Sequence, residues 1–229
     1  MPRIYKISRA GLRLIYKIRH HRGHGIHSPF VFNLINKVIE EKSPYYAYQD
    51  IRDYVNLKRD RHMKPRKVGR LLFKLVNYFE AEKILEIGSG EGLNTLYLTA
   101  PSSSIVCHSI ELNPVKYAKA KELYLGWDRK IVVHTEAFSA NLVTEKQDCI
   151  YINLKNYKHL NEGELEMISK LVHPKTFIIV EGIRTNKRHR ALWNCIKEAA
   201  DRTTVLDLFN IGIVFFDAGL YPWEYKISF

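Results

Sequence analysis

The run Glu86-Ile-Gly-Ser-Gly-Glu-Gly92 sets three alternating glycines between acidic residues, and it carries the clearest chemical signature of the chain. Glycine tolerates positive φ and lets a ligand approach the backbone, so Gly88, Ser89, Gly90 and Gly92 can form a cofactor-holding turn. A helix beginning near Leu93 would add its unpaired N–H groups. No Gly-Lys-Ser/Thr follows to grip a triphosphate, and the Gly-x-Gly-x-Gly spacing differs from the Gly-x-Gly-x-x-Gly of dinucleotide loops. Glu86 and Glu91 flank the turn, where they would repel a pyrophosphate and favour a cation. A further carboxylate, Glu111, stands about 20 residues on, at the end of the apolar run 104–110, where an acid can accept both hydroxyls of a ribose.

These residues can cooperate only if short strands deliver them to one edge. The apolar, β-branched runs 83–87, 104–110, 130–134, 148–153 and 175–181 predict strands covered on both faces. Helical patterns fall between them at 93–99, 114–125, 162–172 and 187–200, with a lead-in helix at 68–79. Asn113-Pro114 has the chemistry of an N-cap and first helical turn. Runs 203–208 and 212–216 lie too close for a crossover and predict a hairpin. The expected fold is therefore α/β: a Rossmann-like, mostly parallel sheet of seven strands closed by an antiparallel hairpin, with helices on both faces. In such sheets ligands sit beyond the carboxyl ends of the strands, which is where Glu86, Glu111, Glu136, Asn153 and Glu181 fall.

S-adenosylmethionine suits an acidic loop, since it has no phosphate and carries a sulfonium and an ammonium. A dinucleotide, or a plain strand-to-helix turn, is the alternative. Taken together, Leu85-Glu-Ile-Gly-Ser-Gly-Glu-Gly92 and Ile110-Glu-Leu-Asn-Pro114 resemble the first two motifs of class I S-adenosylmethionine-dependent methyltransferases. The resemblance spans residues 66–217. It implies cofactor contacts from Glu86, Gly88, Ser89, Gly90, Gly92, Glu111 and Leu112, and an adenine lying against Glu136 and Ala137, with Asn153 also beside the cofactor.

Within that class the chain is most similar to the catechol and caffeoyl-coenzyme A O-methyltransferase branch, which binds magnesium through an Asp after the fourth strand and an Asp-Asn pair after the fifth. Here those positions hold Asn153, Glu181 and Gly182, and the branch's catalytic lysine corresponds to Asn156, next to Lys155. So few hard oxygen ligands predict no committed metal site. The Asn/Asp-Pro-Pro-aromatic turn of adenine and glutamine N-methyltransferases is absent, and Cys149 lies inside a strand, unsuited to pyrimidine C5 chemistry. An O or N nucleophile remains, with Glu181 as the base and Asn153 as an orienting amide. Glu181 pairing with Arg184 or Lys187 is the structural alternative.

The 229 residues, 46% of them apolar, suffice for one full core. Cys107, Cys149 and Cys195 show no metal or disulfide spacing, and no apolar run spans a membrane, so a cytoplasmic protein is expected. A formal charge of +12 favours an anionic partner. A small-molecule acceptor is the expectation, with RNA or a non-catalytic cofactor-binding role as alternatives and a homodimer open. Residues 1–65 read as an N-terminal extension to a methyltransferase-like domain over 66–229: a basic amphipathic helix in which Ile4, Ile7, Leu12, Leu14, Ile15 and Ile18 recur near helical spacing, then the loose His20–His27 segment, which is not read as a metal site. Ser28-Pro29 should start a helix through residue 40. Tyr45, Tyr46, Tyr48 and Tyr54 are expected to pack on the sheet domain, with substrate stacking as the alternative.

Overall fold

The computed structural model describes residues 11, 16, 27–59, 66–199 and 201–229. The expected basic helix and the histidine segment lie outside these residues, apart from Gly11, Tyr16 and His27.

Five short strands, β1 (Lys83–Ile87), β2 (Val106–Ile110), β3 (Lys130–His134), β4 (Cys149–Asn153) and β5 (Phe177–Glu181), run parallel in the order β3-β2-β1-β4-β5. β6 (Val205–Asp207) and β7 (Ile211–Phe215) form the expected hairpin, with β7 inserted antiparallel between β5 and β6. One strand went unforeseen. β8 (Glu224–Lys226) pairs parallel with β6, making eight strands rather than seven. Three half-exposed residues carry no periodicity, so only the neighbouring strand defines it. β3 also departs from the expectation of cover on both faces: it ends the sheet, and Val132 is exposed.

Side-chain alternation sends neighbouring strand residues into two cores. Ile84, Cys107, Cys149, Tyr151 and Ile179 face α1 (Pro29–Leu34, continued by a π-helical turn Ile35–Ile39) and α3 (Lys67–Tyr78). Leu85, Ile110, Ile150, Ile152 and Val180 face α6 (Glu162–Ser169) and α7 (Lys187–Lys197). α2 (Tyr46–Arg59), α4 (Leu93–Thr99) and α5 (Pro114–Tyr124) meet in a third cluster around Tyr48, Phe73 and Tyr97. Residues 29–39 thus share a core with the sheet, and residues 45–55 pack on α3, α4 and α5.

Local chemistry starts the helices as read. Ser28 accepts from the Val31 N–H with Pro29 in the first turn, and Asn113 accepts from the Lys116 N–H with Pro114 in the first turn. Tyr45 and Tyr48 pack on Phe73, and Tyr54 packs on Trp127. Tyr46 does not: it is 91% exposed. No helix among the described residues is long and apolar enough to cross a membrane.

Candidate active site

Parallel order brings the ends of β1, β2, β3, β4 and β5 to one edge, and the order reverses between β1 and β4. The glycine loop sits at that reversal. Gly88, Gly90 and Gly92 all have positive φ, at 85°, 64° and 83°, a conformation that side chains disfavour. Close packing adds a second requirement, because a Cβ on Gly88 would meet the Asn153 carbonyl and Tyr157 at 2.9 Å.

Glu111 holds this loop. Buried to 2% exposure, its carboxylate accepts from the Gly90 N–H at 2.6 Å and from the Asn113 N–H at 2.9 Å. Ser89 is buried beside it, and its hydroxyl has no hydrogen-bond partner. Asn156 lies over the loop, donating to the Gly88 carbonyl and accepting from Lys116 Nζ at 2.9 Å. Leu112 is half-buried against the second core, while Glu136 and Ala137 are exposed just beyond β3. The Tyr157 hydroxyl fixes the next turn, accepting from the Phe138 N–H and donating to Glu164.

Glu86 and Glu91 flank the turn but do not present it with two negative charges. Glu91 turns to Arg59 and Lys119, at 2.9 Å each, and its carboxyl titrates below the usual range through those partners, Lys119 first. Glu86 lies fully buried beneath the loop, accepting from Thr95 and Ser109 with Oε1 unpartnered. Burial raises its pKa to about 7, so it is no fixed negative charge. The acid that faces the turn is Glu111.

Asn153 and Glu181 are register partners on β4 and β5, and the fold brings them together. Glu181, 6% exposed, accepts from the Tyr151 hydroxyl at 2.5 Å and from Asn153 Nδ2 at 3.4 Å. Its other oxygen meets Lys155 Nζ at 2.6 Å. The expected alternative partners do not engage it, for Arg184 pairs with Asp207 instead. Tyr151 and Asn94 were not singled out in the sequence. Asn94 Nδ2 donates to the Tyr151 hydroxyl at 2.7 Å, extending a buried chain from the start of α4 to Glu181. A tyrosine inside an apolar strand was the available signal, because a buried hydroxyl needs a partner. Among the described residues no group of three or more His, Cys, Asp or Glu could hold a metal ion.

No protein-family profile matches the chain, and no curated protein matches it in sequence. Solved structures do match. A protein from Staphylococcus aureus assigned as a caffeoyl-CoA O-methyltransferase is 16% identical, covering 82% of this chain and 97% of its own, with a TM-score of 0.58. A Podospora anserina methyltransferase with S-adenosylhomocysteine bound is 15% identical over 82% and 96%, at 0.55. An O-methyltransferase from Bacillus cereus, also in complex with S-adenosylhomocysteine, is 18% identical over 81% and 97%, at 0.51. The chain has the fold of these proteins. The expected architecture, a mostly parallel Rossmann-like sheet with a closing hairpin, is therefore found over most of its length.

Proposed function

We propose that this chain is an S-adenosylmethionine-dependent methyltransferase acting on an O or N nucleophile of a small molecule. The observation that carries this reading is Glu111 clamped to Gly90 beside the orphaned, buried hydroxyl of Ser89. That set suits a nucleoside bearing an amino acid: a carboxylate for ribose hydroxyls, a free hydroxyl for the polar end, and a side-chain-free cradle. Solved neighbours of the same fold carry S-adenosylhomocysteine, which supports the same cofactor here.

When bound, S-adenosylmethionine supplies a methyl group already activated on a sulfonium. The protein's share is then to align the acceptor and take its proton. We assign the base role to Glu181, aimed by Tyr151 and Asn153. Lys155 puts a fixed cation 2.6 Å from that carboxylate, where the magnesium of similar enzymes would supply the charge, and this supports metal-free chemistry.

Calorimetric titration tests the cofactor reading. S-adenosylmethionine and S-adenosylhomocysteine should bind one per chain, and NAD should not; the reverse would overturn the assignment. With an acceptor in hand, a chelator should leave the rate unchanged, while Glu181→Gln lowers it by about 10²–10⁴-fold. A rate that needs added magnesium would defeat the metal-free mechanism.

A further inference from the structure

Loops along the carboxyl edge divide by charge. Those after β1, β2 and β3 (88–92, 111–113 and 135–137) contain Glu91, Glu111 and Glu136 and no Lys or Arg. Those after β4 and β5 (154–161 and 182–190) contain six Lys or Arg and no Asp or Glu. The two basic loops form one surface, since Arg188 donates to the Leu160 carbonyl at 2.6 Å and the Lys155 stem lies over Gly182.

Two of the six cations are matched by buried carboxylates, Lys155 by Glu181 and Arg184 by Asp207. Lys158, Lys187 and Arg188 are exposed and form no ion pair among the described residues. Beside Gly182, the hydroxyl of Thr185 is buried with no hydrogen-bond partner. Tyr16 adds to the pattern: its hydroxyl accepts from Arg184 at 2.8 Å, and it comes from a stretch, residues 1–26, with seven Lys or Arg and no Asp or Glu.

Resting on the methyltransferase reading, we infer that the acceptor is a soluble small molecule bearing a phosphate monoester. Lys158, Lys187 and Arg188 hold the phosphate, Thr185 donates to it, and the nucleophile lies toward the Glu181–Lys155 pair. Several cations plus a hydroxyl donor fit a dianion with three acceptor oxygens better than a single carboxylate.

The test uses the full chain at low salt with phenyl phosphate as probe, phenol as its uncharged control, and S-adenosylmethionine as an independent readout. Phenyl phosphate should bind and phenol should not. The doubly substituted Lys158→Glu, Lys187→Glu chain should bind phenyl phosphate about tenfold or more weakly while its S-adenosylmethionine affinity is unchanged. Equal binding of phenol, or unchanged phenyl phosphate binding by the variant, would overturn the inference. Binding of phosphatidylglycerol vesicles or of a ten-nucleotide RNA without binding of phenyl phosphate would overturn it too, reassigning the surface to a membrane or a polymer. If phenyl phosphate binds as expected and S-adenosylmethionine does not, the cofactor reading fails and the anion surface stands.

Discussion

The two halves of the carboxyl edge are built by different means. On the half formed by the glycine loop, backbone does most of the holding: positive-φ glycines shape the turn, and Glu111 fastens it through the N–H groups of Gly90 and Asn113. On the half formed by the loops after β4 and β5, side chains reach across the sequence. Tyr151 meets Glu181, Arg184 meets Asp207, and Tyr16 meets Arg184 from 168 positions away. Residues 88–113 therefore carry both the turn and its clamp, whereas the contacts after β4 and β5 draw on residues as far apart as Tyr16 and Asp207.

The largest effect that bears on this contrast should come from Asp207→Ala. It strips the partner from Arg184, whose two terminal nitrogens bond the carboxylate at 2.7 and 2.5 Å, and Asp207 is 1% exposed. Breaking one side of a buried pair typically costs about 3–5 kcal/mol, readable by denaturant unfolding. Cofactor affinity in the folded variant should be unchanged. A parallel loss of cofactor binding would mean that the two halves are not separate.

Next in size is the pH dependence set by Glu86. Its folded pKa of about 7 exceeds the ordinary carboxylate value of 4.5, so the folded chain holds this proton more tightly than the unfolded chain does. That advantage is complete below the unfolded value and is lost as pH rises through the folded one. Across the window from 4.5 to 7 the loss is about 3 kcal/mol. Glu86→Gln should remove this slope, gaining stability relative to the natural chain as pH is raised to 8. Parallel stability curves for the two proteins would show that Glu86 ionises normally.

Within the glycine-loop half, Glu111→Ala should weaken S-adenosylmethionine binding by roughly 1.5–3 kcal/mol, through lost charge-assisted hydrogen bonds. Calorimetry decides it, and unchanged affinity would remove Glu111 from the ribose. The smallest effect is expected of Glu136→Gln. An exposed carboxylate beside the proposed adenine position should contribute about 0.5–1 kcal/mol, a two- to fivefold change in affinity. A larger change would mean that the cofactor orders the turn after β3.

How much was legible follows the same division. Strand ends, the hairpin, the caps at Ser28 and Asn113 and the glycine turn were all readable, since each rests on residues close in sequence. The direction of Glu91 was not legible. Its position beside the turn is local, but its direction is set by Arg59, 32 residues earlier, and Lys119, 28 residues later.

The succession of the first seven strands and their helices, and the place of the glycine turn, can be read from the chain because periodicity, capping and positive φ are properties of short segments. Long-range packing sets the rest: Glu181 is held by Tyr151 and Lys155, β8 joins the sheet beside β6, and the basic loops after β4 and β5 make one face. Those outcomes depend on which distant groups meet across packed strands, and a buried hydroxyl or carboxylate finds its partner only once the sheet has set the distance between them.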